Sequence, residues 1–164
     1  MRAIALGCIA LALSTTASAG PIADQFAAGV GGVSWGMTLD ELLGIRPGGE
    51  QFFSTAPGER GYAVADDAPL YGVPRPGMRT QYHLGKDNRV TAIAFGVPYE
   101  RREQLLAELL LLFGQYQKPM VSGTALVYRW PVDGRLGVSV RASREPKNGI
   151  LEFWVMVKER REAE

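Results

Sequence analysis

The spacing of apolar and polar residues predicts β-strands along much of the chain. In residues 78–84 apolar and polar side chains alternate, which is the period of a strand that buries one face. A polar turn at Lys86, Asp87 and Asn88 separates this run from a second one at residues 90–95. The two runs therefore predict a β-hairpin.

Further strands are predicted on both sides of this hairpin. They cover residues 51–55, 62–65, 124–130, 135–142 and 150–158. The Asn148-Gly149 pair favours a tight turn before the last of them. That strand is apolar on both faces, which is typical of a central strand or of one whose second face is covered.

A short helix is predicted to begin after Thr38. Thr38 and Glu41 have the spacing of a capping box, in which each side chain binds the backbone N–H of the other. Met37 and Leu42 stand at the two positions of a hydrophobic staple, and Gly44 is the expected stop. A helix of about two turns needs tertiary support, so we expect it to dock on the sheet.

A longer helix is predicted over residues 98–113, with Pro98 in its first turn and Gly114 as the stop. Its apolar residues recur at helical spacing and form one stripe. The stripe consists of Leu105, Leu106, Leu109, Leu110 and Phe113. Leu111 lies off the stripe, so it is either covered by a loop or exposed to a partner.

These elements predict a single α+β domain over residues 33–158. Its largely antiparallel sheet has five to seven strands, with the long helix packed on one face and the short helix near the N-terminus. Residues 20–32 are predicted to be a flexible lead, and the charged residues 159–164 a frayed tail.

The first nineteen residues have the order of a cleaved secretory signal. Arg2 precedes an uncharged run that is too short to span a bilayer, and residues 17–19 form an Ala-Ser-Ala cleavage site. Cleavage is expected after Ala19. The single cysteine, Cys8, lies within the signal, so the exported chain has no disulfide, and a bacterial periplasmic location is expected.

Charge excludes one class of partner. Arg2 is the only charged residue of the signal, so the rest of the chain carries 17 basic and 17 acidic residues. A balanced charge gives no general attraction to nucleic acid, and nucleic-acid binding is not expected. No later apolar run has the length of a membrane span.

Motifs of catalysis and cofactor binding do not occur in the chain. His83 is the single histidine, and it lies opposite the apolar positions of its strand, where an exposed strand histidine is expected. No serine lies in a nucleophile motif, and no metal or cofactor is expected. The Asp66-Asp67 pair is interpreted as a solvated turn, since a cation site needs more oxygen ligands.

One loop is a candidate for recognition. Residues 69–77 contain three prolines, which restrict the backbone, together with Tyr71 and Arg75. Tyrosine and arginine are favoured at the energetic centres of protein interfaces. Tyr71 and Arg75 are therefore the predicted partner-binding residues; the alternative is an ordinary loop whose Tyr71 packs inward. The three tryptophans, including Trp154, are expected in the core.

The stretch Gly-Met-Thr-Leu-Asp-Glu-Leu at residues 36–42 resembles the opening of small bacterial envelope domains of the SmpA/OmlA lipoprotein type. It is also similar to β-lactamase-inhibitor-like repeats. The resemblance implies short helices packed on an antiparallel sheet. It also implies binding, assembly or inhibition in the envelope rather than catalysis.

The sequence thus favours a non-enzymatic periplasmic domain that binds another envelope or exported protein, as an adaptor, an inhibitor or a toxin-immunity protein. Two alternatives stay open. One is a cell-envelope hydrolase that uses a pair of carboxylates distant in sequence. The other is a carrier that holds a small ligand between helix and sheet.

Overall fold

The computed structural model of the protein describes residues 20–53, 60–143 and 149–158. Within these residues eight strands form one antiparallel sheet in the order β1-β2-β3-β4-β8-β7-β6-β5. The strands are β1 Glu50–Phe53, β2 Arg60–Ala65, β3 Arg79–Leu84, β4 Val90–Pro98, β5 Met120–Ser122, β6 Ala125–Arg129, β7 Leu136–Ser143 and β8 Ile150–Val157. The α-helices are α1 Pro21–Phe26, α2 Leu39–Ile45 and α3 Arg102–Phe113.

The α+β class and the antiparallel sheet are confirmed, but the predicted strand number was too low. The additional strand is β5, which has three residues, all exposed. So short a segment shows no alternation that sequence reasoning could detect. The predicted hairpin is formed by β3 and β4. The last strand, β8, is central, which was one of its two expected settings, since it pairs with β4 on one side and β7 on the other.

The capping box of α2 is confirmed. The Thr38 N–H donates to Glu41 Oε2 at 2.8 Å, and the Glu41 N–H donates to Thr38 Oγ1 at 3.4 Å. These bonds to the Thr38 backbone and side chain lower the pKa of Glu41. The helix continues past Gly44 and ends at Ile45, because the Arg46 N–H still bonds to the Leu42 carbonyl.

The long helix starts later than predicted. Pro98 is the last residue of β4, and a 3₁₀ turn at Tyr99–Arg101 connects it to α3. The predicted stripe does face the core, with Leu105 and Leu109 fully buried. Leu111 is 83% exposed, so the alternative in which a loop covers it is wrong for the described residues.

Helix α1 lies in the segment that was predicted to be a flexible lead. Its Ile22 and Phe26 are buried, and the Phe26 ring contacts the rings of Phe113 and Phe153 at centroid distances of 5.8 and 6.4 Å. Sequence reasoning missed this helix because six residues are too few to show a helical period.

All three helices pack on the same face of the sheet. The core between them and the sheet is built from the residues of the central strands that share this face, and its buried centre includes Ile93, Val140, Leu151, Phe153 and Val155. No helix in the described part of the chain is long and apolar enough to cross a membrane. The predicted signal peptide and the predicted tail lie outside the described residues, so both stay predictions.

Candidate functional site

The opposite face of the sheet carries no helix in the part of the chain that the structure describes, and we call it the open face. Its members follow from the strand register, because directly paired residues point to the same side. In the centre, Ala94 pairs with Gln81 and Trp154, and Trp154 pairs with Ser139. Small residues of this face include Gly61, Ala63, Ala92, Ala94, Gly96, Gly137 and Ser139.

Three rings from different strands form a row across the open face, and the middle ring contacts the other two. The Phe52 and His83 rings meet edge to face at a centroid distance of 5.4 Å, and the His83 and Trp154 rings lie 4.5 Å apart. Gly61 pairs with both Phe52 and His83, and a Cβ at Gly61 would overlap the Phe52 ring. The glycine therefore allows this row of three rings, Phe52–His83–Trp154, to form.

A small cavity lies beside Trp154 on the open face. Its volume is about 210 Å³, and its walls include Val127, Ser139, Trp154 and Met156. Arg129 and Arg141 belong to the same cavity and are exposed to solvent. Within the described residues neither arginine has a carboxylate within ion-pair distance. The Trp154 indole N–H donates to Glu152 Oε2 at 3.0 Å, which holds the ring in one orientation.

For two of these residues the location expected from the sequence differs from the one observed. Trp154 was expected in the core, but it is half-buried on the open face. His83 was expected to be an exposed strand residue, and it is half-buried between the rings of Phe52 and Trp154. The apolar second face of the last strand was a signal for this site. A covering element was only one explanation of that pattern, and an uncovered binding surface is another.

Of the two predicted partner-binding residues, Arg75 is buried beneath its loop. Only 2% of its surface is exposed. Its guanidinium donates to the carbonyls of Gly96 at 2.7 Å, Arg79 at 3.1 Å and Ala68 at 3.3 Å. It also lies 5.3 Å above the centre of the Phe95 ring.

An acidic residue completes the environment of Arg75. Asp66 Oδ2 lies 3.7 Å from the Arg75 guanidinium and accepts a 2.6 Å hydrogen bond from the Thr80 hydroxyl. Partial burial alone would raise the pKa of Asp66, but hydrogen bonds from Thr80 and the Ala68 N–H, together with the charge of Arg75, lower it. Burial lowers the pKa of Arg75, and Asp66 opposes this. The acidic pair thus fixes the loop, since Asp67 also accepts from the Gly77 N–H at 2.9 Å.

Tyr71 packs inward as well. It stands at a turn with φ of 51°, and its ring contacts those of Phe113 and Phe153 edge to face at 6.2 and 6.0 Å. Burial raises the pKa of its hydroxyl. Tyr71 and Arg75 therefore both meet the aromatic core from this loop. Their role in partner binding stays a prediction; in this conformation Arg75 is buried and Tyr71 is partly buried.

A second concavity opens at the end of the sheet between α1 and the β3–β4 turn. It has a volume of about 1130 Å³, and three cationic residues, Lys86, Arg89 and Arg135, line it. Asp87 and Asp133 also line it, but both make contacts within the chain. Asp87 lies 3.8 Å from the Arg89 guanidinium, and Asp133 accepts hydrogen bonds from the start of α1.

Among the described residues no three histidine, cysteine or acidic side chains come together as a metal site would require. Comparisons of the chain with protein-family models, with curated proteins and with solved structures found no significant match.

Proposed function

We propose that the protein is a non-enzymatic periplasmic domain that holds a partner protein on the open face of its sheet. The observation that carries this proposal is the row Phe52–His83–Trp154, which lies on a sheet face without a helix over it in the described part of the chain. An apolar surface of this kind on a folded chain is typical of an interaction site. Its contact with water is unfavourable, and covering it with a partner would release that free energy.

The dimensions of the face suit a protein. Eight strands at a spacing of about 4.8 Å extend about 34 Å across the sheet, and the longer strands extend about 20 Å or more along it. A standard interface buries about 800 Å² on each partner, which is the scale of this face. The cavity of about 210 Å³ beside Trp154 would receive one side chain of the partner.

The residue types on the face define the chemistry of that partner. Tryptophan and arginine are enriched at the residues that dominate binding energy, and Trp154 is held between the His83 ring and Glu152. Arg129 and Arg141 flank the cavity without a carboxylate partner among the described residues. The proposed partner therefore presents an apolar or aromatic side chain with a carboxylate next to it.

Site-specific crosslinking in the native envelope tests this surface. A photoreactive amino acid replaces Gln81 on the open face in one variant and Leu111 on α3 in a matched control. Position 81 is partly exposed and position 111 is 83% exposed, so labelling of both by a small reagent verifies that each can be reached. We expect one defined envelope protein to crosslink at position 81 and not at position 111. The same adduct at 111 alone would contradict the proposal.

The second concavity, beside α1, supports a second candidate function, that of a carrier for a small anionic ligand. Its volume of about 1130 Å³ is sufficient, and Lys86 and Arg135 supply positive charge. A thermal-shift screen with small carboxylates and phosphates tests this candidate. A stabilisation that disappears in the Arg135→Ala variant and persists in Trp154→Ala would favour the carrier.

A further inference from the structure

The side chain of Asp133 accepts hydrogen bonds from the first residues that the structure describes. Asp133 Oδ1 accepts from the Gly20 backbone nitrogen at 3.2 Å, and Asp133 Oδ2 accepts from the Ala23 N–H at 2.8 Å. Asp133 is itself fixed, because its backbone pairs with that of Leu136 at the start of β7. One rigid carboxylate thus binds two nitrogens of the segment that leads into the domain.

This carboxylate replaces a cap that α1 lacks. Gly20 is the N-cap residue and has no side chain to accept from the first turn, while Asp133 binds the N–H of the third helical residue, Ala23. That is the bond a capping side chain normally makes from within the helix. A Cβ at position 20 would lie 2.5 Å from Asp133 Oδ2, so a larger residue there would displace this carboxylate.

Gly20 is also the residue that follows the predicted cleavage site. We propose that hydrolysis of the Ala19–Gly20 bond creates an α-ammonium group at Gly20 that pairs with Asp133 and locks α1 onto the sheet. Water is the co-reactant and a signal peptidase the catalyst. The C–N bond breaks, the acyl carbon of Ala19 takes the hydroxyl and becomes a carboxylate, and the Gly20 nitrogen is protonated.

The charge gained by this atom strengthens an existing contact. Before cleavage the Gly20 nitrogen is an amide with one hydrogen, and afterwards it is a cation with three donors at the same position beside Asp133. Hydrogen bonds between charged groups are stronger than those between neutral ones. The carboxylate also offsets the unfavourable position of a cation at the N-terminus of a helix.

The lock has a structural consequence for the core. Helix α1 contributes Ile22 and Phe26 to the buried cluster, and the Phe26 carbonyl accepts from the Trp35 indole at 2.7 Å. A chain that keeps residues before Gly20 makes these contacts without the ion pair. The processed chain is therefore the more stable one. This inference rests on the export prediction and is independent of partner binding at the open face.

A comparison of N-terminal forms tests the lock. The chain that begins at Gly20 is compared with the same chain acetylated at its α-amine, which keeps the N–H and removes the charge. Each form is prepared with Asp133 and with the Asp133→Asn substitution, and Asp40→Asn on the exposed side of α2 is the matched control. Free energies of unfolding come from urea titrations, and reactivity of the α-amine with an acylating reagent gives a second readout.

In the chain that keeps Asp133, we expect acetylation to lower the folding equilibrium constant at least about fivefold. This is a loss of about 1 kcal/mol in folding free energy, at the upper end of the range for a partly exposed ion pair. The effect should vanish in Asp133→Asn and persist in Asp40→Asn. The free α-amine should react more slowly in the parent chain than in the Asp133→Asn variant. Equal stability of the free and acetylated chains would overturn the proposal. This comparison needs only the chain with Asp133, so it tests the proposal even if the Asp133→Asn variant does not fold.

A failure of this proposal can be distinguished from a failure of the partner-binding proposal. N-terminal sequencing of the protein from the periplasm must begin at Gly20. Another first residue would overturn the lock and leave the open face as the proposed partner site.

Discussion

Replacing Arg75 with alanine distinguishes a recognition loop from a structural one. In the structure the Arg75 guanidinium holds the carbonyls of Gly96, Arg79 and Ala68 and is paired with Asp66. The substitution removes all these contacts together and leaves the carboxylate without its cation. We therefore expect a large loss of stability and no selective loss of binding.

The magnitude follows from burial. Breaking a buried ion pair by removing one partner costs about 3–5 kcal/mol. The Asp66 side chain is 19% exposed, so water still reaches it, and the lower end of about 3 kcal/mol is expected. Against a total stability of about 5–15 kcal/mol, such a loss would be visible as a large shift of the urea midpoint.

The neighbouring Arg79 provides the matched control. It pairs with Glu50 at 3.2 Å, but the two side chains are 57% and 76% exposed. Its replacement by alanine should change stability by less than about 1 kcal/mol. Both variants are titrated with urea and followed by tryptophan fluorescence. If Arg75→Ala matches Arg79→Ala in stability and instead weakens partner binding, residues 69–77 are the recognition surface and our interpretation of the buried guanidinium is wrong.

Three further predictions concern the framework of the fold. Leu109→Ala should destabilise by about 2–5 kcal/mol because Leu109 is fully buried, whereas Leu111→Ala should have little effect, and equal losses in urea would contradict the assigned core face of α3. Asp66 has a lowered pKa in the folded state, so its contribution is present above the unfolded value of about 3.9 and is lost as pH falls through the folded value. Stability of the parent should therefore fall below about pH 4 more steeply than that of Asp66→Asn, and parallel acid profiles would argue against the assignment. Thr38→Ala removes the cap of α2 and should cost about 1 kcal/mol by thermal unfolding, and an unchanged melting temperature would count against the capping box.

Local patterns predicted the parts of the fold that depend on neighbours in sequence. The capping box of Thr38 and Glu41 is confirmed because all its atoms lie within four residues. The β3–β4 hairpin is confirmed for the same reason, since alternation and a polar turn define it. Helix α1 was missed because it is too short to show a helical period and because its capping carboxylate, Asp133, lies 110 positions beyond the N–H of Ala23 that it caps.

The sites depend on contacts that only the folded chain creates. The ring row requires β1, β2, β3, β4 and β8 to lie side by side in that order, and nothing near His83 in the sequence indicates that the Trp154 ring lies 4.5 Å away. Arg75 was predicted to bind a partner because arginine is favoured at interfaces and its loop is restricted by prolines. Its burial follows from the carbonyl of Gly96, which comes from a different strand.

The affinity of the crosslinked partner for the Trp154→Ala variant tests the central claim most directly. Trp154 lies in the open-face ring row and also lines the cavity, and its loss should weaken binding by at least about 2 kcal/mol, or about thirtyfold in Kd. Titration calorimetry of the purified pair gives this value, with Leu111→Ala as the control and urea titrations to show that both variants are folded. Our account predicts the loss for Trp154→Ala and a parental Kd for Leu111→Ala. A parental Kd for a folded Trp154→Ala variant would contradict it.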